Sequence, residues 1–165
     1  MKNKPFMRSS RSVAVLFACV LFACVPAEKS LPTEAEMESH NQSLAEGFIS
    51  AWNAGDAAAL ATQFHPEGRR VNSDVQEVWF GRQAIEDGFA MMLAADNPYG
   101  GSTLSAEVLS SKALAPGLFI ASGEWQLIDA TGEQLRIGFF ANTIVIEDGK
   151  AYLMQESAGE YTPPN

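Results

Sequence analysis

Between Thr33 and Ala54 the apolar residues Leu44, Phe48 and Trp52 recur at four-residue spacing, widened by Ala45 and Ile49, which predicts an amphipathic helix. Glu34, Glu36 and Glu38 sit near its start, where negative charge complements the helix dipole. Gly55 ends this helix, and Asp56 can cap a second, short and alanine-rich one over 57–64. His65-Pro66-Glu67-Gly68 reads as a turn, 69–74 as a first strand and 75–80 as a connection. Ile85, Phe89 and Leu93 place a third helix over 82–95, broken by the run from Asp96 to Gly101. Beyond that point the pattern turns strand-like over 104–114, 118–128, 135–146 and 151–157, with a glycine-containing turn signal in each gap. Connections this short force antiparallel neighbours, so the expectation is an α+β fold: three helices on one face of a curved antiparallel sheet, with a concavity between the layers.

The N-terminal stretch follows different rules. Lys2, Lys4, Arg8 and Arg11 precede the uncharged segment 13–23, the layout of a secretory signal peptide, and that segment is too short for the roughly 20 residues a membrane span needs. Leu21-Phe22-Ala23-Cys24 resembles the bacterial lipobox, in which cleavage leaves a lipidated cysteine at the new N-terminus. The expected organisation is a signal peptide over 1–23, a lipidated N-terminus at Cys24 with a linker to 33, a domain over 34–160 and a tail over 161–165. Cleavage after Val25-Pro26-Ala27, giving a soluble periplasmic or secreted protein, is the alternative.

Charge narrows the partners. The 165 residues carry 11 basic and 20 acidic side chains, a formal charge of −9. Loss of Lys2, Lys4, Arg8 and Arg11 with the signal peptide makes this −13. Such a field repels phosphates, so no nucleic-acid partner is expected, and attachment to an anionic membrane would depend on acyl chains. Two cysteines, neither in the domain, exclude a disulfide scaffold and a cysteine zinc site. Chemistry must then come from a pocket.

Ala51-Trp52-Asn53-Ala54-Gly55-Asp56, followed by Leu60 and Phe64 and then Phe80-Gly81-Arg82-Gln83-Ala84-Ile85, resembles the nuclear transport factor 2-like superfamily, with its SnoaL-like and ketosteroid-isomerase-like domains. The likeness runs from about Glu34 to Gly159. It implies a conical, cystatin-like fold with a pocket between sheet and helices, used by different members for isomerisation, dehydration, cyclisation, epoxide hydrolysis or binding. The isomerase positions carried over by motif fall on Phe48, which has no donor, on Asn72 or Ser73, and on Asn142, which cannot serve as a tuned acid. Epoxide hydrolysis in the superfamily uses an Asp-Arg-Asp relay, and no aspartate pair brackets Arg136, the only arginine on the late strands.

The remaining candidates are Asp74 and Glu156 as proton acceptors, with Asn142 polarising an oxygen. Matching by resemblance directs Phe140, Asn142 and Ile144 inward, with Tyr152, Met154 and Glu156 on the last strand, and leaves Leu153 and Gln155 outside. Phe48, Trp79, Trp125, Phe140, Tyr152 and Met154 are the expected pocket lining. His40 and His65 are isolated and His65 precedes a proline, which points to a solvated or capping role; neither a metal nor a cofactor is expected. The functional expectation is an exported envelope protein that binds a small, largely apolar molecule. The alternatives are a SnoaL-like enzyme using a pocket carboxylate as general base, and an interaction module dimerising through an outward sheet face with Leu127, Phe139 and Leu153.

Overall fold

Thr33 closes a capping box on the first helix, α1 (Glu34–Asn53): its hydroxyl accepts from the Glu36 amide at 3.3 Å, and Glu36 Oε2 accepts from the Thr33 amide at 2.8 Å. The computed structural model of the chain describes residues 30–73 and 76–161. Cys24, Asp74 and the segment expected to be a signal peptide lie outside the described residues. Gly55, with φ of 68°, turns the chain after α1, and Asp56 caps α2 (Ala57–Thr62) by accepting from the Ala59 amide at 2.9 Å. The order then runs β1 (Phe64–Asn72), β2 (Glu77–Phe80), α3 (Gly81–Leu93), β3 (Thr103–Ala115), β4 (Leu118–Ile128), β5 (Gln134–Glu147) and β6 (Lys150–Glu160).

The strands form one sheet in the order β2-β1-β6-β5-β4-β3. It differs from the sequence expectation in three ways. The supposed connection before the third helix contains β2, which pairs antiparallel with β1. The His65-Pro66-Glu67-Gly68 turn is a bulge inside β1, where pairing to β6 lapses between Phe64 and Arg69; Pro66 has no N–H to give a ladder, and Leu153 O approaches the Cβ position of Gly68 to 2.8 Å. Most consequentially, β1 pairs parallel with β6, so the sheet is mixed. Short-loop reasoning governs consecutive strands and says nothing about a first strand that joins the last.

Helices α1 and α3 straddle the concave side, α1 against β3 and α3 against β1. Between them the core is aromatic. Phe64, Phe89 and Phe119 are fully buried together with Leu60, Ile85 and Ile144. The Asn53 side chain takes the place of a neighbouring strand at the edge: Leu104 N–H donates to Asn53 Oδ1 at 2.7 Å, and Asn53 Nδ2 donates back to Leu104 O at 3.3 Å. Trp52 Nε1–H donates to the buried Ser102 Oγ at 3.2 Å. Adjacent residues of one motif thus tie the end of α1 to the start of β3. Gly81, at φ of 77°, opens α3, and Arg82 Nε donates to Phe64 O at 2.8 Å across the β1 bulge.

Candidate functional site

Register alone builds the centre of the site. Trp79 on β2 stands opposite Arg70 on β1, Arg70 opposite Glu156 on β6, Glu156 opposite Asn142 on β5, and Asn142 opposite Ala121 on β4. This row crosses the sheet beneath a cavity of about 250 Å³. The next inward row contains Glu77, Asn72, Ala158 and Phe140, and all four line the same cavity. From above, α1 contributes Asn41 and Phe48, and α3 contributes Gly88 and Met92. The volume is just under the roughly 300–1,000 Å³ of drug-sized sites.

Room for the rings comes from glycines across the strand. Gly123 stands opposite Phe140, and Gly138 opposite Trp125. A Cβ on Gly123 would meet Phe140 Cζ at 2.5 Å, and one on Gly138 would meet Trp125 Cζ2 at 2.5 Å, so each ring lies against bare backbone.

The polar floor is deeply desolvated. The side chains of Arg70 and Glu156 are 7% and 8% exposed, and Arg70 Nη1 lies 3.4 Å from Glu156 Oε2. That pair has ion-pair distance without hydrogen-bond geometry: Arg70 Nε and Nη1, Glu156 Oε2 and Asn142 Oδ1 are all buried with no hydrogen-bond partner among the described residues. The guanidinium also lies 4.5 Å from the Phe89 ring centroid and 5.7 Å from that of Trp79, so its charge rests on aromatic faces. Nearer the rim, Glu77 accepts from Trp79 Nε1–H at 3.0 Å and Glu160 accepts from the Tyr99 hydroxyl at 2.7 Å.

Burial pushes the Glu156 carboxyl above the usual carboxylate range, partly opposed by Arg70. The folded chain therefore takes this proton more readily than the unfolded chain. The resulting stabilisation is fully present below the unfolded carboxyl value of about 4.3 and is lost as pH rises through the raised folded value. Glu36 and Asp129, held below the usual range by hydrogen bonds from Thr33 and Thr131, act at the surface in the opposite sense. Urea titrations of wild type and Glu156→Gln across pH will show the difference moving against the wild type as pH rises. A difference independent of pH would place the Glu156 carboxyl in an ordinary environment.

Of the residues expected in the pocket, Phe48, Trp79, Trp125, Phe140, Asn142 and Glu156 line the cavity. Tyr152 and Met154 do not, which corrects the expected alternation of the last strand. Thr143 pairs with Gln155 and Ile144 with Leu153, so a β-bulge at Met154 shifts the phase: Leu153 faces the cavity before it, Glu156 and Ala158 after it. Tyr152 packs instead among His65, Arg82 and Lys150. Leu127 and Leu153 are buried against the cavity, so of the residues named for an outward patch only Phe139 is exposed, stacked on Tyr161. Of the solvated or capping role expected of it, His65 takes the second, accepting from the Glu67 amide through Nδ1 at 3.1 Å, and it is not isolated, since its Nε2 lies 3.3 Å from Glu147 Oε2.

Sequence reasoning overlooked Arg70. The signal was present, because Asn72 had been matched to a pocket position and strand alternation gives a residue two places earlier the same face.

The fold is similar to that of a cystatin-like domain from Nostoc punctiforme, with a TM-score of 0.70 and 18% identity over 80% of this chain and 81% of that one. It is also similar to an NTF-2 like protein from Shewanella oneidensis, with a TM-score of 0.62 and 15% identity over 74% and 98% of the two chains. Aln2 from a Streptomyces species gives a TM-score of 0.63 and 16% identity over 79% and 94%. No curated protein matches the sequence. A SnoaL-like domain profile matches residues 45–154, and the chain belongs to the SnoaL-like domain family.

Proposed function

We propose that this protein binds a small, largely apolar molecule in the cone, as an exported protein of the cell envelope. The observation that carries the binding reading is the pairing of aromatic walls with buried polar atoms that have no hydrogen-bond partner among the described residues, on Arg70, Glu156 and Asn142. Unsatisfied buried groups are costly, and a ligand supplying their partners converts that cost into affinity and orientation. The export reading rests on the basic residues Lys2 to Arg11, the uncharged segment and the Leu21-Phe22-Ala23-Cys24 motif, with lipid attachment at Cys24 as the tether.

The fluorescent probe 2-naphthol, uncharged at neutral pH, tests the binding reading, because Trp79 and Trp125 line the cavity and can transfer energy to it. Saturable transfer is expected, and Ala158→Phe, which fills the cavity from β6, is expected to abolish it with the circular dichroism spectrum unchanged. Transfer that never saturates, or that survives Ala158→Phe, overturns the reading.

One observation favours a second reading. A buried carboxyl with a raised pKa faces an amide across the strand, the arrangement of a proton acceptor beside a group that polarises an oxygen. In that case Glu156 moves a proton on a carbonyl-containing ligand held by Asn142. Turnover lost in Glu156→Gln while binding persists would establish it, whereas binding without product in wild type would reject it.

A further inference from the structure

The polar floor specifies more than polarity. Resting on the binding reading above, we infer that the ligand's polar end is uncharged and carries a hydrogen-bond acceptor and a donor on neighbouring atoms, the acceptor facing Arg70 and the donor facing Glu156 and Asn142.

Guanidinium groups only donate, and an ionised carboxylate only accepts. Among the described residues Arg70 therefore leaves two donors without acceptors, at Nε and Nη1, while Glu156 Oε2 and Asn142 Oδ1 are acceptors without donors. The Arg70 charge is already compensated by Glu156 at 3.4 Å and by the Phe89 face, so the unmet demand of this floor is for hydrogen bonds. A carboxylate ligand meets half of it. One oxygen accepts from Arg70, and the other is pressed against Glu156 and Asn142, where acceptor meets acceptor. The charge balance of the lining runs the same way, because Glu77 joins Glu156 against Arg70, while Glu160 is paired with Arg136 at 3.1 Å. An anion enters that cavity against the field. A primary amide, or a hydroxyl next to a carbonyl, satisfies both sides at once. Turning the Asn142 amide over exchanges one acceptor for a donor and leaves Glu156 still requiring one, so the class is unchanged.

Benzamide, benzoate, acetophenone and toluene share one ring and nearly one size, and differ at the polar end as donor with acceptor, anion, acceptor alone and neither. Calorimetry and chemical-shift mapping on the purified chain at neutral pH should rank benzamide first, with benzoate weaker by about tenfold or more, the penalty that an unpaired buried acceptor carries. Glu156→Gln keeps an acceptor and removes the negative charge. Benzoate should therefore gain about tenfold relative to benzamide in that variant, since Arg70 becomes free to pair with it. If the variant does not fold, the wild-type ratio of benzamide to benzoate decides. Benzoate binding as tightly as benzamide in wild type overturns this inference and leaves the binding reading standing. If none of the probes perturbs residues of the cavity, both are overturned.

Discussion

Arg70→Ala will cost the fold about 3–5 kcal/mol at mildly alkaline pH, because it leaves the Glu156 carboxylate buried with no counter-charge. The size of the loss will itself depend on pH. Arg70 is what holds the Glu156 pKa down against desolvation, so its removal lets that value rise further, and the carboxyl then escapes the penalty by taking up a proton. As pH falls through the raised value the cost must shrink toward what remains of lost packing on Phe89 and Trp79. Urea denaturation of wild type and variant at several pH values measures this directly. A loss of the same size at every pH would mean that the Arg70 contribution is packing alone. Replacing both partners at once, as Arg70→Met with Glu156→Leu, should be neutral or even stabilising by about 1–4 kcal/mol, since two apolar side chains carry no desolvation cost. That double variant would be a stable protein with a blank floor, and its loss of ligand discrimination would separate recognition from folding.

Phe89→Ala should be as damaging, at about 3–5 kcal/mol, for a different reason. Its ring is fully buried and packs on those of Phe48 at 5.6 Å, Trp79 at 5.9 Å, Phe64 at 6.2 Å and Trp52 at 6.4 Å, each centroid to centroid. It also carries the Arg70 guanidinium on its face. Four elements, α1, α3, β1 and β2, meet on this one side chain, so the cavity left behind cannot be closed by moving any one of them. Phe89→Leu should recover a good part of the stability, because it refills volume, but not the flat surface on which Arg70 rests. Equilibrium denaturation gives the first quantity. A cost for Phe89→Ala below about 1.5 kcal/mol, the range of volume-conserving swaps, would show that the neighbours collapse into the space and that the residue is not the junction described.

Much of the architecture was legible because it is local. The helix stripe through Leu44, Phe48 and Trp52, the glycine turns between late strands and the motif around Asn53 each encode an element within a few residues. What escaped was set by distant pairing or by a single extra residue. The parallel joining of β1 to β6 has no local signature, and the bulge at Met154 inverted Tyr152 and Leu153 because alternation propagates any slip down the strand. Phe140 and Asn142, on a stretch of β5 beyond its own register shift at Leu135, were placed on the side they occupy. Arg70 was missed for a chemical reason: a charged residue near a turn ordinarily faces water, and that expectation masked the alternation that places Arg70 on the same face as Asn72.

The pairing of the first strand with the last also bears on how the site comes into being. Arg69 on β1 donates to Gln155 on β6 across 86 positions of sequence. Closing so long a segment carries an entropic penalty that neighbouring hairpins avoid, so the β3 to β6 meander is favoured to assemble ahead of the β1–β6 ladder. Until β6 is in place, Arg70 has neither its carboxylate nor the opposite wall of the cone. During synthesis the segment carrying β1 thus waits for β6 to emerge. An enclosed cavity floor is consequently a property of the β1–β6 pairing, and burial of the Arg70–Glu156 pair can serve as a clock for that step of folding.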